Sequence, residues 1–192
     1  MENTATATYK PGLREKSQLM SAAEIERSLT RLAYEIVERN NGAADLLLVG
    51  VRRRGAPLAE RLARKISAVE GLAVPVAAID ITFYRDDLST VDAKPVVKRS
   101  PLPFPVESKT VVVVDDVLYT GRTTRAALDA VIDQGRPQRV ELCVLIDRGH
   151  RELPIQADYI GRHVQTSDIE VIEVRLNEID GEERVMLCER TE

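Results

Sequence analysis

Four valines in a row, followed at once by two acids and a glycine turn, constrain this chain more than any other feature. The stretch from Thr110 to Arg125 reads TVVVVDDVLYTGRTTR. An apolar run without polar alternation suits a strand covered on both faces, the environment found in the middle of a parallel sheet. Asp115 and Asp116 end the run, and Tyr119, Thr120, Gly121, Arg122, Thr123 and Thr124 form a small-residue turn. A helix carrying Ala126, Ala127, Leu128, Ala130 and Val131 then departs. Strand, tight loop and helix N-terminus together offer backbone N–H groups and a positive dipole end to an anion.

In open α/β sheets, ligands bind beyond the carboxyl ends of the strands, which is where Asp115 and Asp116 fall. Side chains alternate along a strand, so both carboxylates reach one ligand only if the chain has begun to turn at Asp116. The acids accept hydrogen bonds and the loop behind them donates. Vicinal hydroxyls near a phosphate satisfy both halves, and a ribose 5-phosphate is the commonest such object. The alternative is a buried strand whose acids serve only as helix cap and dipole partners.

The run VVVVDDVLYTGRTT resembles the phosphoribosyl pyrophosphate (PRPP) motif of the type I phosphoribosyltransferases. Its core, DDVLYTGRT, resembles in particular the bifunctional branch that joins uracil phosphoribosyltransferase activity to regulation of a pyrimidine operon. Leu29 to Asn40 (LTRLAYEIVERN), Ile79 to Ser89 (IDITFYRDDLS) and Asp147 to Ile155 (DRGHRELPI) resemble the same branch in the same order. The resemblance implies an α/β fold with a central, mostly parallel sheet flanked by helices, a flexible hood loop and a small C-terminal lobe.

At 192 residues, one domain is expected, over 19–192, behind a loose polar arm at 1–18. No apolar run is long enough for a membrane helix, and MENTATATYKPGLREK lacks the apolar core of a signal peptide, so a cytoplasmic protein is expected. Cys143 and Cys188 read as buried free thiols, and two histidines do not provide for a zinc site. A net charge of −4 argues against a general nucleic-acid binder but leaves room for a local basic patch.

Along the chain, Ser21-Ala22-Ala23-Glu24 is a capping-box pattern, and Ile25, Leu29, Leu32, Ala33 and Ile36 fall on one helical face before Asn40-Asn41-Gly42. Arg27, Thr30, Arg31 and Tyr34 fall on the opposite face, which is either solvated or set against something anionic. Leu46 to Val51 reads as a buried strand ending in Arg52, Arg53, Arg54 and Gly55. Ala56-Pro57 stand where a Walker A loop needs Lys-Ser/Thr, so a P-loop ATPase is excluded. The three arginines either hold a pyrophosphate or solubilise a turn. Val74 to Ile81 reads as another strand. Thr82 to Ser108, with four prolines, is a long loop or a surface hairpin. Val140 to Ile146 is a further strand, and Tyr159-Ile160, Glu170 to Leu176 and Arg184 to Leu187 are shorter ones, placed at the sheet edge and in a small lobe.

The resemblance then assigns roles. Asp115 and Asp116 hold the ribose hydroxyls. Arg52 to Gly55 form the pyrophosphate loop, with Arg52 and Arg54 assisting catalysis. Tyr119, Thr120, Gly121, Arg122 and Thr123 anchor the 5-phosphate. Tyr84, Arg85, Asp86 and Asp87 open a hood over 82–108. Val171 and Asn177 belong to the base pocket, and Mg²⁺ arrives with PRPP instead of being held by the protein alone. The implied partners are PRPP, uracil, UMP or UTP as effector, and the operon's leader mRNA, bound through Thr30, Arg31, His150, Arg151 and Arg162. A homodimer or higher homo-oligomer is implied too. The chain departs from the family pattern at Arg53 (usually Thr), Asn177 (usually Asp), Tyr34 (commonly His), Gln156 (commonly Arg), His163 and Gln165.

Overall fold

The computed structural model describes residues 12–81 and 101–191. In chain order the elements are β1 (Leu13–Ser21), α1 (Ala22–Arg39), β2 (Leu46–Val51), α2 (Gly55–Glu70), β3 (Val76–Ile79) and β4 (Thr110–Leu118). They continue as α3 (Arg122–Ile132), β5 (Arg139–Asp147), β6 (Tyr159–His163), β7 (Glu170–Arg175), α4 (Asn177–Asp180) and β8 (Arg184–Arg190).

Five strands form one parallel sheet in the order β3-β2-β4-β5-β6. The valine run lies in its centre, Val112 opposite Leu48 on one side and Glu141 on the other. Val112 and Val114 pack into a core with Leu29 of α1 and Leu58 and Leu62 of α2. Val111 and Val113 pack against Ala126, Ala127 and Val131 of α3 on the opposite face. Both rows are buried, which is why the sequence shows no alternation. Each fully buried valine contributes about 1.5–3 kcal/mol.

Helix α1 starts as the sequence predicts. The Glu24 N–H donates to Ser21 Oγ at 3.4 Å, and the Ser21 N–H donates to Glu24 Oε2 at 2.8 Å. It ends at Asn40, with Asn41 and Gly42 at φ of 53° and 113°. Cys143 and Cys188 are buried free thiols, as expected, and burial pushes both thiols up from their ordinary range.

A second, antiparallel sheet has the order β1-β8-β7. It corrects the expectation of a loose arm over 1–18, because Leu13 to Gln18 belong to β1, paired from Leu13↔Arg190 to Ser21↔Arg184. Residues 1–11 lie outside the described residues. The strand is an edge with a mostly solvated surface, so its sequence reads polar. Met20 is its buried anchor, and Arg14–Glu189 (2.6 Å) and Lys16–Glu170 (2.5 Å) pair along it. Among the described residues, no helix is long and apolar enough to cross a membrane.

Candidate active site

The carboxyl ends of β2, β4 and β5 bring three loops together. Asp115 is buried and Asp116 half-buried at the end of β4. Each carboxylate accepts from the next backbone N–H, Asp116 N to Asp115 Oδ1 and Val117 N to Asp116 Oδ1, both at 2.9 Å. β4 stays paired with β5 as far as Leu118↔Asp147, but its regular alternation breaks at the acids: Val117 packs on the same side as Val112 and Val114, and Leu118 on the same side as Val111 and Val113. The strand thus changes phase over Asp115 and Asp116, the departure from regular alternation that two acids serving one ligand require. Desolvation raises the Asp116 carboxyl above its ordinary 3.8, opposed by the hydrogen bond with Asp115 and the positive charge of Arg54.

The turn after β4 is held from behind. Tyr119 and Thr120 place their carbonyls on the loop that follows β5: Arg151 Nη1 donates to Tyr119 O (2.9 Å), and the Glu152 and Leu153 N–H groups donate to Thr120 O (2.9 and 3.1 Å). Gly121 sits at φ 92°, a conformation that other residues rarely adopt, and its position starts α3. Gly121, the N-cap residue of that helix, has no side chain with which to cap it. Thr120 Oγ1 accepts the Arg122 N–H at 3.3 Å, and the Arg122 side chain pairs with Glu152 at 2.6 Å. Thr123 follows in the first turn of α3, so its backbone lies where a phosphate meets the helix dipole.

The basic loop leaves β2 beside this strand end. Arg52 and Arg53 are exposed and joined by a cis peptide, and the Arg52 N–H donates to Ile79 O at 2.9 Å. Gly55 explains the proximity. A Cβ there would lie 2.3 Å from Val114 O and 3.2 Å from the Asp115 Cα, so the basic loop packs backbone to backbone against the strand that bears the acids. Arg54 is held side-on by Asp180 of α4, Nη2 to Oδ1 at 2.8 Å and Nε to Oδ2 at 3.2 Å.

The two residues assigned by resemblance to the base pocket lie in β7 and α4. Val171 is half-buried in β7 opposite Cys188, and Asn177 is exposed at the start of α4, donating to Glu183 Oε2 at 3.0 Å. An aspartate at 177 would set a carboxylate against Glu183, so the asparagine suits its neighbour. Tyr84, Arg85, Asp86 and Asp87 lie outside the described residues, as does most of the 82–108 loop.

The nominated RNA residues fall into two groups. On α1, Thr30 Oγ1 donates to Glu26 O (2.9 Å), and Arg31 pairs with Glu35 and donates to the Ile160 and Gly161 carbonyls (3.0 and 2.7 Å). Arg162 of β6 reaches back to Leu19 O and to Glu24 (3.2 Å). Beyond β5, His150 Nε2 lies 2.6 Å from Thr166 O, while Arg151 bonds Asp147, Gly149, Tyr119 and Ile155. The three arginines thus spend donors on their own chain. Arg151 and His163 line a cleft of about 750 Å³ between the 147–156 loop and 163–165, with Gln156 and Gln165 on its wall.

Two residues escaped the sequence reading. Arg148 is buried and, among the described residues, has no carboxylate hydrogen-bond partner, donating to Thr166 Oγ1 (3.1 Å) and Glu170 O (2.9 Å), with its guanidinium 4.0 Å from the Tyr119 ring centre. Burial lowers its pKa. Its place in DRGH at a strand end was the available signal. Asp180 had none, being 126 positions from Arg54.

An acid pair, a triple-arginine loop and the start of α3, gathered at one end of a parallel sheet, are the arrangement expected of a phosphoribosyltransferase. Residues 15–179 match the family described as "Phosphoribosyl transferase domain", and the chain belongs to that family. Within it, the chain is 61% identical over 179 residues to the "Bifunctional protein PyrR" of Pelotomaculum thermopropionicum, covering 93% of this chain and 99% of that one. It is 56% identical to the protein of the same name from Thermus thermophilus, covering 93% and 98%. The hypoxanthine phosphoribosyltransferase of Trypanosoma cruzi superposes with a TM-score of 0.69 over 93% of this chain and 98% of that one, at 19% identity, a likeness of fold.

Proposed function

We infer that this protein makes UMP and pyrophosphate from uracil and PRPP, and regulates a pyrimidine operon by binding its leader mRNA in response to uridine nucleotides. The observation that carries the reading is the packing of Gly55 on Val114, which sets a triple-arginine loop beside an acid pair at one strand end. The 61% identity to a bifunctional PyrR supports both activities.

Transfer exchanges the bond from the anomeric carbon to pyrophosphate for a bond to a uracil ring nitrogen, through an oxocarbenium-like state. Asp115 and Asp116 accept hydrogen bonds from the ribose hydroxyls, and their charge favours the developing cation. Tyr119 to Thr123 and the start of α3 hold the 5-phosphate, which keeps the sugar from drifting as the bond breaks. Arg52 and Arg54 draw charge off the leaving pyrophosphate, and Val171 and Asn177 border the uracil.

Among the described residues, no cluster of three metal-ligating side chains occurs, whereas the adjacent oxygens of Asp115 and Asp116 suit a hard cation held mainly by phosphate and water. Mg²⁺ bound to PRPP supplies neutralisation of the leaving charge. The chain works as a homo-oligomer in the cytoplasm, where its substrates and the messenger meet.

One observation favours a second reading, a salvage enzyme without an RNA role: Arg31, Arg151 and Arg162 are all engaged by the protein itself. The test is twofold. Uracil should consume PRPP faster than hypoxanthine, and the reverse would refute the base assignment. Binding to the leader RNA should be strengthened by UMP and keep its sequence preference as salt rises. Binding indifferent to UMP and abolished by salt would leave only the enzyme.

A further inference from the structure

Arg54 uses one edge of its guanidinium, Nε and Nη2, for the Asp180 carboxylate. A guanidinium has five donors in a planar fork, so the end bearing Nη1 keeps donors for a second anion. Its charge also reaches Asp116 on the neighbouring strand end. Asp180 is itself fixed, since its Oδ2 accepts the Leu176 N–H at 2.9 Å and its own N–H donates to Leu176 O at 2.7 Å. The turn that carries it is tied to α2 a second time. Arg61 bonds Glu178 at 2.8 and 2.6 Å and also holds Glu183. Both arginines lie at or on α2, and their acidic partners lie in α4 or just after it, the segment that also bears Asn177.

We propose that Asp180 is a positioning residue: it aims the free end of Arg54 at the pyrophosphate of PRPP and ties the base-side segment to the pyrophosphate loop. This rests on Arg54 binding pyrophosphate, as inferred above. A long arginine side chain facing solvent has many rotamers to lose when it binds, and the side-on carboxylate fixes it beforehand. The link also makes the two halves of the site interdependent, because a shift of α4 moves the arginine that receives the leaving group.

The experiment compares a ligand with pyrophosphate and one without it, in Asp180→Asn and Arg54→Lys. Asp180→Asn keeps the size of the side chain but loses its charge and one acceptor. It should weaken PRPP binding about tenfold while leaving UMP binding within about twofold, since UMP carries no pyrophosphate. Arg54→Lys should weaken PRPP by a similar factor, and the double variant should lose little more than either alone. Equal losses for PRPP and UMP in Asp180→Asn would mean a packing defect in α4 and would overturn the proposal. A PRPP loss in Arg54→Lys but none in Asp180→Asn would overturn it as well, leaving Arg54 in its role. No PRPP loss in Arg54→Lys would remove its foundation, the assignment of Arg54 itself.

Discussion

The two ends of the parallel sheet treat buried acids in opposite ways. At the amino end, Glu141 is 2% exposed and partnered by its own chain, one carboxylate oxygen taking two hydrogen bonds and the other facing Arg139 as an ion pair. It accepts from Tyr159 OH at 2.7 Å and from Asn40 Nδ2 at 3.0 Å, and it pairs with Arg139 Nε at 3.0 Å. Asn40 Oδ1 in turn accepts from Arg139 at 2.7 Å. At the carboxyl end, Asp116 accepts from the Val117 N–H and is held above its ordinary pKa by desolvation. A network of buried polar groups bonded to one another in this way gives rigidity. An acid kept partly desolvated is instead poised to gain from a ligand that brings donors. One sheet thus spends stability at the end where ligands bind and recovers it at the end where they do not.

The sharpest way to break this comparison is to neutralise the carboxyl end. Asp115→Asn with Asp116→Asn should reduce UMP formation by about 10³-fold or more. The melting temperature should hold or rise. The sign follows from linkage: a carboxyl whose folded pKa is raised stabilises fully below its unfolded value, near 3.8, and loses that contribution as pH rises through the folded value. Holding Asp116 in its ionised form is therefore a cost to the fold, which asparagine removes. A large fall in melting temperature would show that this end, too, is structural.

The converse experiment is Glu141→Ala. It strips acceptors from Tyr159 and Asn40 and leaves Arg139 without its carboxylate, so a loss of about 3 kcal/mol in urea unfolding is expected. The kcat/KM of the protein that remains folded should stay within about twofold. A large kinetic defect at unchanged stability would reverse the assignment of the two ends.

A smaller effect calibrates both. Ser21→Ala removes the cap of α1, away from either acid cluster, and should cost about 1 kcal/mol at pH 7. The Ser21 N–H and hydroxyl, with Arg162, hold the Glu24 carboxyl down to about 2. A lowered carboxylate stabilises above its unfolded value, here 4.5, and loses that contribution as pH falls towards 2. Lys16 and the Ser167 N–H lower Glu170 to about 2 in the same way. Denaturation midpoints measured from pH 5 to 2 should fall, and the gap between wild type and Ser21→Ala should narrow. A gap that stays constant would dissociate Glu24 from the cap.

What was legible in the sequence follows from how each element is buried. Strands β2, β4 and β5 are covered on both faces, so their apolar runs announced them, and the capping box of α1 is a local pattern with a local cause. Strand β1 was hidden because an edge strand with a solvated surface looks like a polar arm. The site divides likewise. Residues 115–123 and 52–55 lie in short contiguous motifs and could be nominated together. The Arg54–Asp180 pair could not, since nothing local marks a contact made across the fold. The continuation of β4 past Asp116 was equally unreadable, because hydrogen bonding to β5, not the residues themselves, carries the strand to Leu118.

Strand β1 also governs the order in which the protein can be assembled. Arg14 and Glu189, which meet across β1 and β8, are 175 positions apart. Closing a flexible loop of that length costs about 4–5 kcal/mol before any strand bond repays it. The parallel sheet closes shorter loops, β4 and β5 being joined through α3 alone and β2 and β4 pairing over 64 positions at Leu46↔Thr110. Once that sheet has gathered the intervening chain, β1 and β8 start close together and most of the cost is gone. The sheet can therefore form without the lobe, but the lobe has no inexpensive route without the sheet. A chain emerging from synthesis can have Asp115 and Asp116 in place on the sheet before β8 exists to receive β1.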